Sequence, residues 1–261
     1  MPAGYDPDHF AALFAVEDRH FWFTARNYAL TTVLTELAPQ LPRRYRVLEI
    51  GCGTGNTLRA LKEGCPTAAL IVGIDLFDEG LAYARRRTNA PLVRARIEQA
   101  PFAIRFEVVG MFDVLEHIED DAATLREVRA LTAPGGYCVL TVPAHKALWS
   151  RFDEESHHCR RYESDELRER LISAGFRVEY LTPFMTTLYP IARVSRWLSA
   201  RANDVRRRLR LDSKSAVLND LTVRPVINEI FAFLLRQEAP FLRRRVQLPI
   251  GTSLLAVARA V

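Results

Sequence analysis

Hydrophobic positions along this chain recur with two periods, one helical and one of short apolar runs, and the two alternate. Phe10, Leu13, Phe14 and Phe21 fall near helical spacing, and Leu30, Val33, Leu34 and Leu37 form a cleaner stripe. Residues 8–38 are therefore predicted to be helical, closed off by Pro39 and Pro42. The pattern then reads strand 46–50, helix 54–63, strand 69–74, helix 77–89, strands 91–95 and 106–111, helix 119–132 and strand 137–142. Such alternation predicts an α/β fold with a parallel sheet and right-handed crossovers. Ala133-Pro134-Gly135-Gly136 reads as a helix stop and turn. After a loop at 143–163, Ser164 is placed to cap a helix over 165–174 that ends at Gly175. A strand follows at 176–182, and Ser253–Val261 suits a further one. The segment between them, 183–252, carries helical patterns at 186–210 and 216–239 and is expected to cap the carboxyl edge of the sheet.

Composition narrows the class. A chain of 261 residues, 49% hydrophobic with a mean hydropathy of −0.05, suits one full core plus an appended element. No run approaches the roughly 20 apolar residues of a membrane span. The opening MPAGYDPDHF has neither a basic nor an apolar leader region, so no secretory signal is expected. Cys52, Cys65, Cys138 and Cys159 lack metal-type spacing and read as free thiols of a reducing cytoplasm. The isoelectric point near 9.2 invites a nucleic-acid partner. Yet only three of the 36 basic residues, Lys62, Lys146 and Lys214, are lysines, a skew that GC-rich coding DNA would produce. A net +5 over this length is weak support for a polyanion partner.

The chemistry concentrates where the first strand ends. Gly51, Gly53 and Gly55 alternate in a turn that also holds Cys52, Glu49 precedes them, and the next strand closes on Asp75. Strand, glycine turn, helix, strand and acid in that order build a pocket for an adenosine-bearing cofactor, with glycines letting the backbone approach it closely. A dinucleotide fingerprint would need its third glycine at position 56, where Asn56 stands.

The segments VLEIGCGTGN, GIDL at 73–76, FDVLEHI at 112–118 and PGG at 134–136 together resemble class I S-adenosylmethionine-dependent methyltransferases over roughly residues 45–184. The bacterial type 11/12-like subgroup is the nearest in pattern. The resemblance implies a Rossmann-like, doubly wound sheet, mostly parallel with an antiparallel last strand, with N-terminal helices and a helical insertion before that strand. It divides the chain into an N-terminal lid (1–44), a core (45–184 and 253–261) and a cap (185–252). It implies S-adenosylmethionine as cofactor and S-adenosylhomocysteine as product. Asp75 would hold the ribose hydroxyls, Leu76 would pack on adenine, and Glu49 would order the glycine loop or meet the methionyl ammonium. Where the family often has an acid facing adenine this chain has Arg96, so adenine would rest on backbone near Ile97 and Glu98. Phe112 and Asp113 would border the sulfur, Arg26 would hold the methionyl carboxylate, and His117 is the candidate base.

The loop after the fifth strand is expected to face the acceptor, through His145, Trp149, His157, Arg160, Arg161 and Tyr162. Adjacent His157 and His158 beside Cys159 raise a metal, but neighbours rarely share one ion, and no metal is expected. The acceptor is read as a small molecule or a glycan- or lipid-linked one. Arg193, Arg196, Arg201, Arg206, Arg207, Arg208 and Arg210, beside Leu188, Ile191, Val194, Trp197 and Leu198, suit a solvated basic face, an anionic membrane surface or a second subunit. A nucleic-acid methyltransferase is disfavoured because FDVLEH stands where an N/D-P-P-aromatic motif would be. A non-catalytic relative working through the insertion is the other alternative. Location is expected to be cytoplasmic, with peripheral membrane contact through the insertion left open.

Overall fold

The computed structural model describes residues 9–196 and 222–261. Seven strands form one sheet: β1 (Arg46–Ile50), β2 (Leu70–Asp75), β3 (Leu92–Arg94), β4 (Phe106–Phe112), β5 (Thr132–Pro143), β6 (Phe176–Phe184) and β7 (Ser253–Ala260). Their order is β3-β2-β1-β4-β5-β7-β6, with β7 antiparallel to both neighbours and every other pairing parallel. The order reverses between β1 and β4, which opens a crevice at the carboxyl ends of those strands.

Both faces of the sheet are covered, which is why its strands read as nearly unbroken apolar runs. Successive residues point to opposite faces. Val47, Val108 and Val139 join one core layer with Leu30, Leu34 and Leu61, while Leu48, Val109 and Leu140 join the other with Leu125, Val128 and Leu167. The first layer holds helices α1 (His9–Val16), α2 (Phe21–Leu37), α3 (Asn56–Gly64) and α4 (Asp78–Ala84); the second holds α5 (Asp121–Leu131) and α7 (Ser164–Ser173), with the short α6 (Arg151–Glu155) between β5 and α7.

Two local expectations change. Residues 133–136 do not form a free turn, because β5 starts at Thr132 directly after α5. The glycines are absorbed by a register shift against β4 between Phe106 and Val108. Ser164 is the first helical residue and Glu163 takes the cap position, its carboxylate bound to the Lys146 backbone N–H at 3.0 Å.

Of the insertion, residues 188–196 are helical, followed beyond the gap by α8 (Pro225–Arg236) and α9 (Ala239–Arg243). Trp197, Leu198, Arg201, Arg206, Arg207, Arg208 and Arg210 lie outside the described residues. The insertion is stitched to the N-terminal helices. Asn228 on α8 accepts from the Phe21 N–H (2.7 Å) and donates to the Arg19 carbonyl (2.8 Å), and Phe21 stacks near Phe231. Buried Glu238 accepts from the Met185 and Thr186 N–H groups, both at 2.7 Å, and so fixes where the chain leaves β6.

Candidate active site

The turn after β1 is set by its backbone. The Gly51 and Cys52 N–H groups donate to the Ile74 carbonyl (2.8 and 3.0 Å), which brings the turn against the end of β2. All three glycines have positive φ. A Cβ on Gly51 would lie 2.4 Å from Val114, so this position is closed by the protein itself. At Gly53 the nearest atom is 3.8 Å away, and there the turn faces open cavity.

Asp75 holds that turn from across the crevice. Its carboxylate accepts from the Gly53 N–H (2.7 Å) and the Phe77 N–H (2.9 Å). Burial raises this carboxyl above its ordinary range, with the backbone donors opposing. A carboxylate offers about four acceptor positions, and the Leu76 N–H also faces this one, so one stays available to a ligand. Glu49 is almost fully buried, receives the Thr57 hydroxyl, and does not line the cavity. Burial pushes its carboxyl up to about 8. Its visible role is to tie β1 to α3. Gly55 also lies off the cavity, at the cap of α3 and close to Ala84.

A chamber of about 1260 Å³ opens over these groups. One end is lined by Gly51, Cys52, Gly53, Asp75, Leu76, Arg96 and Ile97, and further in by Phe112, Asp113 and Arg26. Arg26, reaching down from α2, pairs with Asp113 at 2.9 Å, reaches Asn56 at 3.3 Å and lies over the Trp22 ring. Its Nε has no hydrogen-bond partner among the described residues.

The other end is built by the segment after β4 and the loop after β5. Glu116, His117, His158 and Arg161 line it. Asp153, wholly buried, accepts from His158 Nδ1 at 2.9 Å and from Arg161 Nε at 2.8 Å, while its other oxygen takes the Ser150 N–H at 2.8 Å. Burial alone would raise this carboxyl, but His158 and Arg161 hold it below its ordinary range. An ionised Asp153 can only accept, so Nδ1 of His158 carries a proton and Nε2 is the nitrogen that Asp153 does not engage. The His117 and His158 rings meet edge to face, centroids 4.7 Å apart. Burial lowers His117 to about 3 and raises Glu116 well above its ordinary range, with the nearby Asp113 charge adding to the latter. An imidazole at about 3 is a weak proton acceptor, which counts against His117 as the base.

A family model described as a methyltransferase domain matches residues 22–181. The chain belongs to that family. A probable S-adenosylmethionine-dependent methyltransferase of Mycobacterium tuberculosis is 28% identical to it over 161 residues, 60% of this chain and 56% of its own length. A ubiquinone biosynthesis O-methyltransferase of Bordetella avium is 32% identical over 111 residues, 40% of this chain and 44% of its own. This methyltransferase-domain chain thus aligns with about half the length of the curated relatives it matches. The methyltransferase solved in complex with the Haloferax volcanii Trm112 activator has the same fold, with a TM-score of 0.60 at 21% identity over 97% of this chain and 93% of its own.

Within this methyltransferase-domain chain, five of the six residues expected to meet the acceptor lie off the chamber. Tyr162 is fully buried and donates to Asp121 at 2.8 Å, and Arg160 pairs with the same carboxylate at 2.6 Å. His145 is held by Glu163 at 3.1 Å, while Trp149 and His157 are exposed. None of these five lines the chamber; Arg161 does. Asp153 and Glu116 gave no signal on their own, since one lies in a stretch that the sequence pattern reads as loop and the other in an apolar stretch. The spacing Asp153-x4-His158 across the end of α6 was the available clue, because it folds the two side chains together.

Proposed function

We propose that this chain transfers the methyl group of S-adenosylmethionine to an acceptor held at the Glu116–His158 end of the chamber, releasing S-adenosylhomocysteine. The observation that carries this reading is the joining of two differently built ends in one cavity: a glycine turn pinned by Asp75, and a buried polar cluster facing it. The volume of about 1260 Å³ exceeds the roughly 300–1,000 Å³ of a single-ligand site, leaving room for cofactor and acceptor together. Asp75, Leu76, Arg96 and Ile97 would take the adenosine; Gly51, Cys52, Gly53 and Arg26 the methionyl group; Phe112 and Asp113 the sulfonium. A methionyl carboxylate would share Arg26 with Asp113, using its unpartnered Nε. The acceptor attacks the methyl carbon in line, its lone pair forming the new bond while the S–CH3 pair stays on sulfur.

The acceptor side combines Phe21, Trp22, Phe152, Leu188 and Phe231 with the charged cluster, which favours a molecule with an apolar body and a polar head. A small amphiphile or a lipid-linked glycan fits that description. Calorimetric titration with S-adenosylmethionine and S-adenosylhomocysteine tests the cofactor half. Micromolar binding that falls at least tenfold in Asp75→Ala is expected; binding that the substitution leaves unchanged would remove Asp75 from the site.

A second reading concerns where the enzyme works. Val226, Ile230 and Phe233 present one exposed apolar face on α8, joined by Phe241 and flanked by Arg224, Arg236, Arg243 and Arg244. No helix among the described residues is long and apolar enough to cross a membrane. We infer that this face rests on anionic lipid, where a lipid-linked acceptor would be met. Sedimentation with phosphatidylglycerol vesicles should capture the wild type and lose Phe233→Asp with Phe241→Asp; equal capture sinks the idea.

A further inference from the structure

The polar end of the chamber contains a donor set that methyl transfer from S-adenosylmethionine does not itself require. Glu116, His117 and His158 offer one carboxylate oxygen and two ring nitrogens, all within 4.8 Å of one another. Glu116 and His117, in the turn after β4, are neighbours in sequence, a spacing that seldom serves one ion, and the third donor, His158, comes from a second segment, the loop after β5. The Cys159 N–H, donating to the Glu116 carbonyl at 2.7 Å, locks the segments together.

Three further observations point to a cation at their centre. First, His158 is oriented from behind: Asp153 holds its Nδ1 at 2.9 Å and is held in turn by Arg161 and Ser150, so Nε2 is the nitrogen left to ligate. A carboxylate behind a histidine is the usual support of a metal-bound imidazole. Second, Glu116 is 1% exposed, and its Oε2 has no hydrogen-bond partner among the described residues. Third, Glu116 lacks the direct ion pair that the neighbouring carboxylates have. Asp113 is matched by Arg26 and Asp153 by Arg161, whereas Glu116 is in no ion pair among the described residues. A buried carboxylate without a partner is costly, and a cation beside it removes that cost.

We propose that Glu116, His117 and His158 bind one divalent transition-metal ion of the zinc or cobalt type, with its open position toward the acceptor. Two imidazoles and one carboxylate form a borderline-soft set that suits these ions over magnesium or calcium. Tetrahedral ligands at about 2.0–2.2 Å from one ion stand about 3.3–3.6 Å apart, so binding draws the three groups together by up to roughly an ångström from the separations of up to 4.8 Å seen here. Resting on the acceptor placement above, the ion would ligate an acceptor hydroxyl and lower its pKa. The proton leaves to solvent water, the oxygen lone pair forms the O–CH3 bond, and the S–CH3 pair remains on sulfur.

The test uses the whole chain, stripped with a chelator and titrated with Co2+ followed by visible absorption and with Zn2+ by calorimetry. S-adenosylmethionine is titrated into the same preparations as a separate readout. One Co2+ per chain, with affinity reduced at least tenfold in Glu116→Gln and in His158→Gln but kept in His157→Asn, is the expected result. Circular dichroism verifies that each variant is folded, and near-isosteric Glu116→Gln is the one least able to disturb packing. Absence of stoichiometric uptake in folded wild type overturns the proposal, as does uptake that both ligand substitutions leave unchanged. Metal uptake without S-adenosylmethionine binding would support the metal site and remove the cofactor reading, so the two can fail separately.

Discussion

Gly51 and Gly53 sit two residues apart in one turn, and a methyl group added to each should be felt in different measurements. Gly51 combines φ 72° with a Cβ direction that runs into Val114 at 2.4 Å. Gly51→Ala should therefore cost about 1–3 kcal/mol of stability, read from denaturant unfolding. Gly53 has room within the protein, so Gly53→Ala should cost less stability and instead weaken S-adenosylmethionine binding. Glu49 gives a pH signature. Its carboxyl has an ordinary value of 4.5 and is pushed up to about 8 in the fold, so between those values the folded chain binds more protons than the unfolded one. Its contribution to stability is full below about pH 4.5 and lost as pH rises through about 8. Glu49→Gln should flatten the stability profile across that window and gain on wild type toward pH 8; parallel profiles would contradict the assignment. The glycine turn and Asp75 were legible because their chemistry is local and consecutive. The Asp153–His158–Glu116 cluster was not, because its members meet only after two loops converge on one strand end.

At the scale of elements, the N-terminal helices and the insertion depend on each other through few contacts. Asn228 serves both the Phe21 N–H and the Arg19 carbonyl, where α1 gives way to α2. Its replacement by alanine leaves two backbone groups unserved, at a cost of about 1–3 kcal/mol confined to that junction. Asn228→Ala should thus raise the dissociation constant for S-adenosylmethionine several-fold and speed proteolysis near residues 17–21, while the main unfolding midpoint shifts little. A main transition that falls with the clamp would show that it supports the core instead. The periodicities placed all seven strands, since each carries its own apolar run. They misplaced the start of β5 because Pro134-Gly135-Gly136 has turn chemistry, and only pairing with β4 and β7 holds it in a strand. The mutual cover of α2 and α8 was invisible, being a contact between residues some two hundred positions apart.

For the whole molecule, the chamber belongs to no single segment: the sheet edge is its floor, α1 and α2 one wall, the loop after β5 another, and α8 with residues 188–196 the remainder. The sequence order of motifs showed the floor, and the walls needed the topology. That topology also governs how the protein is made. β7 lies between β5 and β6, and it is synthesised after both. Until residues 253–260 leave the ribosome, β5 and β6 each present a long apolar strand with an unpaired edge. Such edges invite pairing with other chains. The nascent protein must carry this hazard through the whole insertion, so its yield in the cell should depend on chaperone supply far more than the finished fold's stability would suggest.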